Sequence, residues 1–130
     1  MLVLASHMEG TLVDKDLRPV PNVTVERTWH WGWNDKKGSN VSKTDAQGRF
    51  EFPKVTGFSL LAAALPVERQ IQLTITAQGP KGPVELFSLI KQDYADRGEL
   101  KGKPINLVCR IDLEPGIQPT GYWGTFIELR

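Results

Sequence analysis

Apolar and polar positions alternate with a period of two over several short stretches of the chain. Between Asn22 and Thr28, Val23, Val25 and Arg27 alternate with Thr24, Glu26 and Thr28. Between Gln70 and Ala77, Ile71, Leu73 and Ile75 fall on one side. Successive side chains of a strand point to opposite faces, so this pattern predicts half-buried strands. Arg49 to Phe52 repeats the pattern on a shorter scale, and Pro53 closes it. Strands are also predicted at Gly10 to Asp14, Val41 to Thr44, Pro104 to Leu113 and Tyr122 to Leu129. One stretch departs from the rhythm. Val84, Phe87, Ile90, Lys91 and Tyr94 recur at helical spacing and Gly98 offers a stop, which predicts a short helix over 84–97. The apolar run from Phe58 to Pro66 fits either a buried strand or a packed loop.

Turn signals separate these segments at short intervals. Pro19 and Pro21 stiffen one connection, and Asp45 to Gly48 reads as a tight turn closing a hairpin. Asn34 to Asn40 reads as a polar loop, and Gly79 to Pro83 as a turn. About seven strands and one helix in 130 residues predict a mainly β, antiparallel sandwich forming one domain over 1–130. Residues 1–8, MLVLASHM, lack the basic start of a complete signal peptide; they are either tag-derived or a first strand. The longest apolar run, Leu60 to Leu65, is too short to span a bilayer, so no transmembrane segment is expected.

Composition narrows the chemistry. Leu, Ile, Val and Phe supply 36 of the 130 residues, enough for a packed core. Net charge is +1, which lacks the basic footprint of a nucleic-acid binder. A single cysteine, Cys109, excludes an intramolecular disulfide and a cysteine-based zinc cage, and its apolar surroundings make it a core residue. Asp14, Asp16, Asp35 and Asp45 occupy turns without the dense spacing of a calcium loop. The stretch Asp93 to Glu99 carries balanced charge and reads as a solvated face. No catalytic residue, no metal ligand and no cofactor is expected.

Trp29, Trp31 and Trp33 are the most unusual feature. Spaced i, i+2, i+4 on a strand, they share a face unless the Gly32 kink breaks the alternation. Three readings follow: cover for the core, a protein interface, or a sugar-stacking platform. The candidate partner surface is Trp29, His30, Trp31 and Trp33 with Asn34, Asp35, Lys36 and Lys37 of the adjoining loop.

Two segments in order, GTLVDKDLRPVPNVTVERT (10–28) and SKTDAQGRFEFPKV (42–55), resemble the carboxypeptidase-regulatory-like, transthyretin-like β-sandwich. With ELFSLIKQDYADRGELKGKPINLVCRIDL (85–113), the chain is similar to an uncharacterised family of small bacterial domains associated with type VI secretion loci. That resemblance implies a non-catalytic protein-binding domain, specifically an immunity protein that neutralises a secreted antibacterial toxin in the periplasm. A lone thiol is equally at home in the cytosol. The alternative is a carbohydrate- or envelope-binding module using the same tryptophans. Third is 5-hydroxyisourate hydrolase, an enzyme family on the transthyretin-like fold. His7 and Arg49 echo two of its groups and Tyr122-Trp123-Gly124-Thr125 its tail, but no histidine follows His30 to supply the other.

Overall fold

The computed structural model describes residues 2–31, 36–57, 71–91, 105–117 and 123–129. Among them the chain forms twelve strands: β1 (Leu2–Ala5), β2 (Met8–Val13), β3 (Thr24–Trp31), β4 (Lys36–Lys43), β5 (Arg49–Phe52), β6 (Val55–Gly57), β7 (Ile71–Gly79), β8 (Gly82–Lys91), β9 (Ile105–Arg110), β10 (Gly116–Ile117), β11 (Trp123–Gly124) and β12 (Phe126–Leu129). One sheet has the order β10-β11-β8-β7-β3-β4, a second β12-β9-β2-β5, and β1 pairs with β6 alone. Pairing is antiparallel except between β2 and β9.

Period-two patterning sets which residues face inward. Val25, Trp31, Ile71, Leu73, Ile75 and Phe87 of the larger sheet meet Met8, Leu12, Phe50, Phe52, Ile105, Leu107 and Cys109 of the smaller one in a single hydrophobic cluster. This mainly β arrangement is consistent with a sandwich. Gly10 is required by close packing, because a Cβ there would lie 2.2 Å from the Phe50 ring opposite it.

Several expectations are corrected. There are more strands than seven. No helix occurs among the described residues, and 84–91 of the expected helix lie in β8. Opposite Ile75 and Thr76 the register shifts and Leu86 is the extra residue of β8, so Val84 and Phe87, three apart, both face the core with Leu86 buried beside them, while Ile90 stands on the outer face. Residues 92–97 of that helix, the Asp93 to Glu99 face and the Phe58 to Pro66 run lie outside the described residues. Lys36 to Asn40, expected in a loop, belong to β4. The Asp45 turn joins β4 in one sheet to β5 in the other, so it links the sheets and closes no hairpin.

That turn has a twin. In both Asp14-Lys15-Asp16-Leu17-Arg18 and Asp45-Ala46-Gln47-Gly48-Arg49 the aspartate carboxylate accepts two backbone N–H bonds, from the second and fourth residues beyond it, at 2.8–3.0 Å. In both, the third residue beyond the aspartate has positive φ: Leu17 at 62° and Gly48 at 74°. The second loop packs against the flanks of the first: Leu12 N–H of β2 donates to Gly48 O at 2.8 Å, and Leu12 O accepts from Val20 N–H at 2.9 Å.

Among the described residues Arg27 is the one charged side chain that is buried, beside the small polar Ser6, Thr44 and Thr125. It points inward from β3 and is fully buried. Nη1 donates to Ser6 O at 2.6 Å; Nη2 donates to Pro53 O at 2.5 Å and Asn40 Oδ1 at 2.7 Å. Its guanidinium lies 5.1 Å from the Phe52 ring centroid.

Two stability predictions follow from these contacts. Arg27→Met leaves three acceptors without this donor and is expected to cost about 3–5 kcal/mol in urea unfolding; a loss below about 1 kcal/mol would show the clamp to be dispensable. The twin loops should respond oppositely to a change at the positive-φ position. Gly48→Ala adds a Cβ 2.5 Å from Leu12 O and is expected to destabilise by about 1–3 kcal/mol. Leu17→Gly relieves a left-handed leucine and is expected to be neutral or stabilising by up to about 1 kcal/mol; equal losses in both variants would refute this account.

Candidate functional site

Because β3 alternates, its two tryptophans and His30 part company. Trp31 is buried in the core, so the expectation that it contributes to a partner surface is corrected. Trp29 shares the inward face and is half-buried, with its ring lying over Gly38, where a Cβ would come within 2.5 Å of it. Burying an indole removes a large apolar area from water, and here the sheet interior takes it. His30 points the other way and pairs across the ladder with Lys37. Lys36 stands opposite Trp31 in β4. Trp33, Asn34 and Asp35 lie outside the described residues.

The outer face of the six-stranded sheet is therefore built from the other half of each strand. Three cross-strand rows run over it. Lys37, His30, Gln72 and Ile90 form the first. Ser39, Thr28, Thr74, Ser88 and Trp123 form the second. Val41, Glu26, Thr76 and Glu85 form the third. The middle row is short over four strands, with Thr74 Oγ1 and Ser88 Oγ 3.4 Å apart. Taller neighbours leave a shallow groove of about 480 Å³ between Glu26, His30, Lys37 and Gln72.

Large apolar side chains stand on this face instead of hiding. Trp123 is 43% exposed, Ile90 52% and Ile117 73%. Trp123 lies opposite Ser88 and next to Ile117 in register, one position diagonal from Ile90. The indole is oriented by its own N–H, which donates to Glu85 Oε2 at 2.8 Å. Gly124 makes this placement possible: at φ 128° it brings the backbone of β11 so close to β8 that a Cβ would sit 2.3 Å from Leu86 O.

Other reactive groups are tied up structurally. Cys109 is fully buried, desolvation pushes its thiol pKa upward, and its Sγ lies 4.0 Å from Leu86 O. An inert thiol follows, because the nucleophile is the thiolate. Arg110 and Asp112 form an exposed pair at 2.5 Å; its hydrogen bond lowers the Asp112 pKa and raises that of Arg110. Asp14 and Asp45 cap their turns, as their turn positions suggested.

In the sequence Trp123 falls in a predicted strand and in the Tyr122-Trp123-Gly124-Thr125 tail echo, but not on a partner surface. Its signal was the Trp-Gly step: a glycine that lets a short strand press against its neighbour leaves the adjacent indole on the open face.

The fold and this face define a mainly β domain with an open sheet surface of short polar side chains bordered by exposed aromatic and aliphatic ones. The chain belongs to the family of a domain of unknown function, DUF6795, whose profile matches residues 8–114. No curated protein and no solved structure matches it.

The two faces predict opposite mutational behaviour. Trp31→Ala is expected to cost about 3–5 kcal/mol of unfolding free energy, as for a buried aromatic. Trp123→Ala is expected to change stability by less than about 1 kcal/mol. Similar losses measured for both variants would contradict the assignment of the faces.

Proposed function

We propose that this protein is a non-catalytic protein-binding domain whose partner docks on the outer face of the six-stranded sheet. The observation that carries the reading is the grouping of Trp123, Ile90 and Ile117 on one open face, beside a floor of serine and threonine. Aromatic anchors dominate interface energetics, and charge-poor centres with polar surroundings characterise such surfaces. The low floor lets a partner approach the strands closely. Lys37 at one end and Glu26 and Glu85 at the other offer both signs of charge, which selects a partner by pattern.

The finer form of the proposal is a transthyretin-like sandwich acting as an immunity protein that neutralises a type VI secretion effector. It rests on the resemblance carried by residues 10–28 and 42–55 to that fold, and on the resemblance of the chain to small bacterial domains from such loci. The twin loops at Asp14 and Asp45 support the first, since they fall within those two segments and lock them together. His30 and Lys37, singled out in the sequence, remain in the proposed surface; Trp123, Ile90 and Ile117 replace the buried indole.

The test is co-purification with the product of the adjacent gene, followed by calorimetry. A stable complex is expected, weakened about tenfold or more by Trp123→Ala, the loss typical of a central aromatic anchor. No complex at micromolar concentration would overturn the protein-binding reading. So would a glycan-induced fluorescence change that vanishes in Trp123→Ala, which would assign the same face to carbohydrate.

A further inference from the structure

The outer face of the four-stranded sheet gathers a different chemistry, independent of the docking face above. Glu9 of β2 and Glu51 of β5 are direct register partners, so their carboxylates stand side by side. His7 precedes Glu9 by two residues, and its Nε2 lies 2.8 Å from Glu51 Oε1. One ligand atom from each of the three lies within 4.8 Å of the others.

Three features go beyond a chance meeting of charged side chains. First, like charges directly opposite on an antiparallel ladder repel, so the register itself favours a cation between Glu9 and Glu51. Second, the backbone is anchored from below, because Met8, Phe50 and Phe52 are buried on the other face of the same strands. The ligands therefore hang from a fixed register while their exposed side chains remain free to close on an ion. Third, the set contains an imidazole. Carboxylates alone suit calcium and magnesium, whereas a nitrogen with two carboxylates suits zinc and its neighbours, at ligand distances of about 2.0–2.2 Å.

We propose that His7, Glu9 and Glu51 form a three-ligand site for a divalent first-row transition metal ion of the zinc class. The remaining coordination is open to water or to an incoming group. A polar concavity of about 470 Å³ containing both glutamates, with Lys43, Arg49 and Asn106 on its walls, leaves room for that group. An ion here ties the start of β2 to β5 from outside, at the corner that Arg27 holds from inside through Ser6 and Pro53.

The full chain is titrated with zinc chloride by calorimetry, and with cobalt(II), whose visible spectrum reports the ligand field. Saturable one-to-one binding is expected. His7→Ala, Glu9→Gln and Glu51→Gln are each expected to lower affinity about tenfold or more, and His30→Ala to leave it unchanged. All three ligands are exposed, and circular dichroism establishes that the variants are folded. Absence of saturable binding by the unaltered chain, or undiminished affinity in His7→Ala, would overturn the proposal.

Discussion

A guanidinium occupies a core position where the strand pattern has otherwise placed valine and tryptophan. Arg27 cannot shed its proton inside a protein, so its burial is tolerable only where acceptors are brought to it. The chain supplies two backbone carbonyls and an amide oxygen, and an aromatic face beneath. The carbonyls are not from arbitrary places. Ser6 lies between β1 and β2, and Pro53 between β5 and β6. These are the two points where the β2–β5 ladder gives way to the β1–β6 ladder. One side chain of the six-stranded sheet thus holds both corners of the other layer and, through Asn40, its own edge strand.

That clamp has consequences for the surface. With Arg27, Trp29 and Trp31 turned inward, Thr28 and His30 must face out, because a strand offers no third direction. The polar rows across the larger sheet are the complement of the core. The corner held by Ser6 and Pro53 also sets His7 and Glu51 beside each other, so buried cation and exposed ligand cluster share one piece of backbone geometry.

Much of the architecture was legible. Alternation at Asn22 to Thr28, Arg49 to Phe52 and Gln70 to Ala77 located strands, and the two aspartate turns were readable from residue type. Val84 to Lys91 was not, because a β-bulge and a helix can both place apolar residues three apart, and only pairing with β7 decides between them. The tryptophan strand was legible as a face but not as an inside or an outside. Spacing groups Trp29 with Trp31; it does not say which side of the sheet the second layer covers. Trp123 carried no periodic signal at all, since its exposure depends on Gly124 pressing against Leu86.

The sequence by itself determined that the chain is mainly β, where several strands run, and that a single cysteine offers neither an intramolecular disulfide nor a cysteine-based zinc cage. These follow from local rules of alternation, turn residues and composition. Only the tertiary structure decided which face of each strand is covered, that the Asp45 turn crosses between sheets, and that His7 and Glu51, 44 residues apart, stand 2.8 Å from one another. Those outcomes depend on register and on contacts between segments distant in sequence, and local patterning leaves both undetermined.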